Sequence, residues 1–143
     1  MRVRSLTLAA LLALSACGTA QRALTYDTGW PDADVTVGNQ RFQVWFHEQR
    51  RSVLVMRGDP QPLSQLLAEN VTVYARDRTL GILWWGAAAN AVLQPLGCHA
   101  TEVTGADQMR EIEYVCQSDV DVNAEVRTRR AEWRRGVAAP APG

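Results

Sequence analysis

The first 16 residues constrain this chain most, because they decide the compartment in which the remainder folds. Arg2 and Arg4 precede an apolar run over residues 6–14. That run is far shorter than the ~20 apolar residues of a bilayer-spanning helix. A positive start followed by a short apolar run is typical of a secretory signal peptide. We therefore expect residues 1–16 to direct export, and the rest of the chain to fold in an oxidising compartment.

Four residues that close this leader resemble a known processing motif. Leu14, Ser15, Ala16 and Cys17 give an aliphatic residue, two small residues and a cysteine, which resembles the lipobox of bacterial lipoproteins. The resemblance implies cleavage before Cys17, a diacylglycerol on its sulfur and a further acyl chain, such as palmitate, on the new amino terminus. Gly18 stands where the inner-membrane retention signal is typically Asp, which implies the outer membrane, facing the periplasm. The alternative is an ordinary secretory leader with an accidental cysteine.

Length and composition indicate one folded domain. Of 143 residues, 127 remain after residue 16, which suits a single core. Hydrophobic residues make up 47% and charged residues 21%, far from the composition of a disordered chain. Without Arg2 and Arg4 the mature chain has 13 arginines, no lysine and 15 acidic residues, a net charge of about −2. Nothing in this balance favours a nucleic-acid partner.

Cys98 and Cys116 are the two cysteines left once Cys17 carries lipid. Residues 99–104 and 111–115 are strand-like, and the turn-forming residues 104–107 separate them. A hairpin about that turn places the two cysteines opposite each other. We expect a disulfide there, which would stabilise the fold by about 3 kcal/mol on a chain-entropy estimate.

A metal or redox site built from Cys98, His99 and Cys116 is the alternative for these cysteines. It is disfavoured because the sequence has no paired C-x-x-C spacing, and only His47 could join as a further histidine ligand. The sequence therefore predicts no metal and no cofactor.

Alternating apolar residues predict a first hairpin. Phe42, Val44 and Phe46 share one face of a strand and should form core, whereas the other face carries Arg41, Gln43, Trp45 and His47. Residues 52–57 suit a more buried partner strand.

Helices are expected between the two hairpins. Leu63, Leu66 and Leu67 begin a short helix, and residues 82–93, rich in alanine, form a second that ends near Pro95. Residues 71–75 could be strand or helix. The predicted fold class is α+β: a small antiparallel sheet of two hairpins with helices on one face and one disulfide. Its domain covers residues 35–137, after a lipid-anchored tether over 17–34 and before a disordered tail over 138–143.

Four aromatic side chains form a candidate binding surface. Trp84 and Trp85 could line a pocket or contact a partner, since tryptophan combines a large apolar body with a polar edge. Trp45 and His47 share the polar face of the first strand. The alternative is that these residues are core or lie under a helix.

The arginine-rich segment 120–135 is a candidate membrane contact. A helical reading aligns Val122, Val126 and Trp133 in one stripe with arginines around it, which gives a basic amphipathic helix. Such a helix could rest on anionic headgroups beside the anchor. Alternatively, it packs through the stripe and its arginines are solvated. The residues proposed for the contact are Arg127, Arg130, Trp133 and Arg134.

Catalytic residues are not evident. The mature chain has Ser52, Ser64 and Ser118, none in a G-x-S-x-G motif, and its histidines fall on separate predicted strands. The acidic pairs Glu111/Glu113 and Asp119/Asp121 lack an identifiable third ligand, so a hydrolase is disfavoured.

The leading function hypothesis is a non-enzymatic, membrane-anchored envelope lipoprotein that binds a protein partner or a cell-envelope component. The alternative is a small-ligand or lipid-binding lipoprotein with a pocket between sheet and helix.

Overall fold

The computed structural model describes residues 21–70, 80–106 and 108–143. The leader, Cys17 and residues 71–75 lie outside these ranges. Residues 21–23 are helical, and a 3₁₀ helix covers Gln94–Leu96. The remaining elements are β1 (Ala33–Val37), β2 (Gln40–Phe46), β3 (Ser52–Arg57), α1 (Leu63–Asn70), α2 (Ile82–Leu93), β4 (Cys98–Ala106), β5 (Met109–Cys116), α3 (Val122–Trp133) and β6 (Val137–Ala139).

The strands form one six-stranded mixed sheet in the order β4-β5-β3-β2-β1-β6. The α+β class is confirmed, and both predicted hairpins exist as β2–β3 and β4–β5. The prediction of only two antiparallel hairpins is wrong, because β3 also pairs with β5, and β1 and β6 extend the sheet. A tight turn at Gly38, whose φ is +57°, joins β1 to β2. β6 runs parallel to β1.

The first face of the sheet carries the larger core. The predicted alternation holds, since Phe42, Val44 and Phe46 are buried there beneath α2 and α3. Alanines in α2, such as Ala88 and Ala89, are fully buried. Small side chains at these positions let the helix lie close against the strands.

The second face of the sheet is also covered, which corrects the expectation of helices on one face. Trp45, Leu54 and Met56 are buried there against Leu63 and Leu66 of α1. The physical reason is that β2 and β3 carry apolar side chains on both sides, and such strands need cover on both sides. The face taken as polar is therefore a second core.

The segments on either side of the predicted domain contain residues that pack on the sheet or belong to it. Ala23 and Tyr26 belong to the second core, and Ala33–Val37 is a strand in the sheet. Residues 21–34, expected to be a tether, thus lie against the domain. Residues 138 and 139, expected in a disordered tail, belong to β6 and pair with β1.

A disulfide joins Cys98 to Cys116. The two residues are direct partners across β4 and β5, as the predicted hairpin requires. The bond joins the first residue of β4 to the last residue of β5, the two strands at one edge of the sheet.

Removing this disulfide should weaken the fold. The bond closes a loop with a sequence separation of 18, so replacing both residues (Cys98→Ala with Cys116→Ala) should lower the free energy of unfolding by about 3 kcal/mol. Urea denaturation of the two proteins measures the difference. Thiol titration of the denatured wild-type mature chain should find neither cysteine free; two extra reactive thiols would contradict the bond.

Candidate binding cleft

A cleft of about 480 Å³ opens at the end of the sheet where β2 ends and β1 begins. We call it the sheet-end cleft. One wall is the segment over residues 27–32 and the other is α3, with Trp45, Phe46 and Val126 on its floor. At its mouth, Asn123 of α3 donates a hydrogen bond to the carbonyl oxygen of Glu48 (2.6 Å), which joins the helix to the loop after β2.

Three arginines line the cleft: Arg127 and Arg130 of α3, and Arg134 directly after its last residue. They recur at helical spacing, so they lie along one side of the helix. Arg130 donates to Asp32 at 2.7 Å, and Arg134 donates to the carbonyl oxygen of Pro31 at 2.7 Å. Arg127 is exposed and, within the described residues, has no hydrogen bond or ion pair. Two of the guanidiniums therefore hold the cleft together, and that of Arg127 is free to meet a ligand.

Acidic side chains face these arginines. Asp32 is buried, and its second oxygen accepts the backbone N–H of Phe46 at 2.8 Å. Asp27 is exposed and, among the described residues, accepts a hydrogen bond only from the backbone N–H of Gly29. The carboxylate of Glu48 is exposed and makes no hydrogen bond or ion pair within the described part of the chain. The free charges at the cleft are thus of both signs.

Trp30 forms the aromatic side of the cleft, and 56% of its surface is exposed. Its backbone is fixed, because Arg134 also donates to its carbonyl oxygen (3.4 Å) and the neighbouring Gly29 carbonyl accepts from Trp45 Nε1 (3.0 Å). The sequence reading missed Trp30, since it lay in the expected tether. The only available signal was a tryptophan directly before a proline in an otherwise polar stretch.

Residues 22–26 are fixed to the second face by a polar cluster that we call the N-terminal clamp. The hydroxyl of Tyr26 donates to Ser52 Oγ at 2.8 Å, and burial raises the pKa of that tyrosine well above its usual value. Arg22 and Arg50 approach the same oxygen of Glu111, at 3.8 and 3.5 Å. Glu111 is buried, so these two cations offset part of the cost of its desolvation.

His47 completes the clamp as a neutral imidazole. Its Nδ1 accepts the backbone N–H groups of Gln49 and Arg50, both at 3.0 Å, so its Nε2–H donates to Thr25 Oγ1, also at 3.0 Å. Burial, together with the Arg50 charge, lowers the pKa of His47 below its usual value. The imidazole therefore acts as a structural link between loop and N-terminal segment.

The structure does not bring the four predicted aromatic residues into one surface. Trp85 lies in the first core with the Arg110 guanidinium 5.4 Å from its ring centre, and Trp84 is partly buried beside it. Trp45 and His47 lie on the opposite face of the sheet. Of the four, Trp45 alone lines the sheet-end cleft, as part of its floor.

The residues predicted for membrane contact also separate. Trp133 is buried and stacked on Phe46, with ring centres 5.8 Å apart, so the apolar stripe of α3 faces the core. Arg127, Arg130 and Arg134 line the cleft instead. The stripe was correctly identified, but its tryptophan is not available to a membrane.

Comparison with protein-family models, curated proteins and solved structures finds no match for this chain. No helix within residues 21–70, 80–106 and 108–143 is long and apolar enough to cross a bilayer. The same ranges hold no group of three or more His, Cys, Asp or Glu side chains placed to bind a metal ion.

Replacement of Trp133 and replacement of Trp30 should change the free energy of unfolding by very different amounts. Trp133→Ala should lower the free energy of unfolding by about 3–5 kcal/mol, because it empties a buried site. Trp30→Ala should change it by less than about 0.5 kcal/mol, because the indole is mostly exposed. Urea denaturation compares them, and similar losses for both would contradict the burial of Trp133.

His47 should make stability depend on pH. Its pKa is lowered in the folded protein, whereas in the unfolded chain it is about 6.5. Below that pH the unfolded chain takes up a proton that the folded chain does not, so the free energy of unfolding should fall as pH drops from about 7 to 5.

Substitution of each histidine tests this assignment. His47→Gln should flatten the pH dependence of the unfolding free energy over that window. His99→Gln is the matched control, because it makes the same substitution at a histidine that is exposed on β4. An unchanged slope in the His47→Gln protein would argue against the neutral, buried imidazole.

Proposed function

We propose that this chain is a non-enzymatic envelope lipoprotein, anchored through Cys17, whose sheet-end cleft binds a protein partner or another cell-envelope component. The observation that carries the proposal is the free Arg127 guanidinium, which shares one cleft with the exposed indole of Trp30 and the carboxylates of Asp27 and Glu48. Exposed aromatic and arginine side chains are the types that dominate binding energy at interfaces.

Two features support the location. The leader resembles that of outer-membrane lipoproteins, and the Cys98–Cys116 disulfide suits an exported protein in an oxidising compartment. The mature domain would then face the periplasm.

Binding is favoured over catalysis at the N-terminal clamp, where both Ser52 and His47 serve as structural hydrogen-bond partners. Ser52 is buried, and its oxygen accepts the hydroxyl of Tyr26. Both ring nitrogens of His47 have structural hydrogen bonds. Neither side chain is free to act on a substrate, which supports a non-enzymatic role.

A small polar ligand is the second candidate for the cleft. Its volume of about 480 Å³ lies in the range of small-molecule sites. The lining is charged and open to solvent, so it suits a polar head better than an acyl chain.

Photo-crosslinking in intact cells tests the proposed binding. A photoreactive amino acid replaces Glu48 at the cleft, and in a control protein it replaces Glu102, which is exposed on β4. We expect an adduct with an envelope component from position 48, and its loss when Arg127→Glu is added, because that change reverses the free charge. The mass of the adduct identifies the component.

The anchor is tested on the same cells. The mature protein should begin at Cys17 and carry the mass of its acyl chains. The Cys17→Ser protein should be absent from the membrane fraction. In the photo-crosslinking experiment, equal adducts from positions 48 and 102 would count against the cleft as the binding site. A Cys17→Ser protein that still matured and stayed in the membrane would count against the anchor.

A further inference from the structure

The N-terminal clamp limits how far the domain can lie from its anchor. Cys17 stands five residues before Arg22, and an extended chain of that length spans at most about 18 Å. A compact domain of this size has a radius of gyration of about 14 Å. The part of the surface around Arg22 therefore stays close to the membrane that holds the lipid.

The clamp lies at the same end of the sheet as the cleft. Arg22 meets Glu111 beside Arg50, and Arg50 also donates to Thr25 at 3.0 Å. Arg50 belongs to the loop after β2, two residues from Glu48 at the mouth of the cleft. Clamp and cleft are thus neighbours.

Two exposed apolar side chains lie on this part of the chain, Leu24 in the clamped segment and Trp30 in the wall of the cleft. Leu24 is 65% exposed and Trp30 is 56% exposed. Their neighbours Ala23 and Tyr26 are buried against the second face, so the segment is firmly seated while Leu24 points outward. Tryptophan is enriched where protein meets the headgroup region of a bilayer.

The free charges of the cleft match a zwitterionic lipid headgroup. Arg127 offers a planar guanidinium, which suits a phosphate. Asp27 and Glu48 offer carboxylates, which suit an ammonium. A headgroup with both a phosphate and an ammonium group satisfies the two signs together.

We propose that the cleft end of the domain rests on the membrane, with Leu24 and Trp30 in the headgroup region and Arg127 on a lipid phosphate. This inference rests on the proposed anchor at Cys17 and names phospholipid as the envelope component that the cleft meets.

Fluorescence quenching by brominated lipid tests the contact. Residues 17–143 are coupled through Cys17 to a maleimide lipid in vesicles of phosphatidylethanolamine and phosphatidylglycerol; the disulfide leaves Cys17 as the reactive thiol. Brominated lipid should quench the wild type more than Trp30→Phe. The remaining tryptophans are buried or partly buried and are common to both proteins. Equal quenching of the two proteins would overturn the proposal.

Matched leucines provide the control. Leu24→Ser should reduce the quenching of Trp30, whereas Leu83→Ser should not, although Leu83 is 64% exposed and Leu24 is 65% exposed. Iodide in the aqueous phase measures whether Trp30 is exposed to water. It should quench Trp30 in the uncoupled protein, and it should no longer quench Trp30 once the protein is coupled to vesicles. Retained access would place the cleft toward the periplasm, open to a soluble partner, and would overturn the membrane contact.

Failure of this inference is separable from failure of the proposed function. An acylated protein from cells whose Trp30 escapes lipid quenching would leave the anchor standing and remove only the contact. The protein could instead lack acylation in cells and still show quenching of Trp30 when coupled to lipid. That result would contradict the proposed anchor but support the membrane-binding surface.

Discussion

The carboxylate of Asp32 is the contact on which the rest of the cleft depends. One oxygen accepts the backbone N–H of Phe46, and the other accepts Arg130 of α3. A single buried group thus ties the start of β1 to the end of β2 and to a helix almost one hundred residues later. Burial of a charge is costly without such partners, so the segment is held in the one position where both bonds form. The wall of the cleft follows from that position.

A second carboxylate repeats this arrangement along β1. Asp34 is also buried, and it accepts hydrogen bonds from Arg41 and Gln43 of β2 at 2.9 and 2.6 Å. Burial opposes ionisation, but the bonds from Arg41 and Gln43 outweigh it and lower the pKa of Asp34. Together the two aspartates fix the path of the chain on either side of Ala33. Asp32 holds the irregular segment before β1, and Asp34 holds β1 itself against β2.

The sequence predicts those parts of the fold that depend on local pattern. Phe42 and Phe46 alternate as core residues, and Cys98 and Cys116 meet because one hairpin places them opposite each other. The missed parts depend on distant contacts. Val137–Ala139 is too short and small to indicate a strand until its partner β1 is known. Trp45 was expected on a polar face, because Ala23 and Tyr26, which belong to the same core, were assigned to a tether. The cleft was missed for the same reason: Trp30 and Asp32 join α3 only in three dimensions, although the arginines of α3 had been identified.

The parallel pairing of β6 with β1 has a consequence for how the chain reaches its folded state. β1 is held between β2, which precedes most of the fold in the chain, and β6, which follows α3. The sheet cannot be completed, nor the first core closed by Val126 and Trp133, until residues 122–139 are present. This strand order therefore leaves the first core open until nearly all of the chain is available to fold.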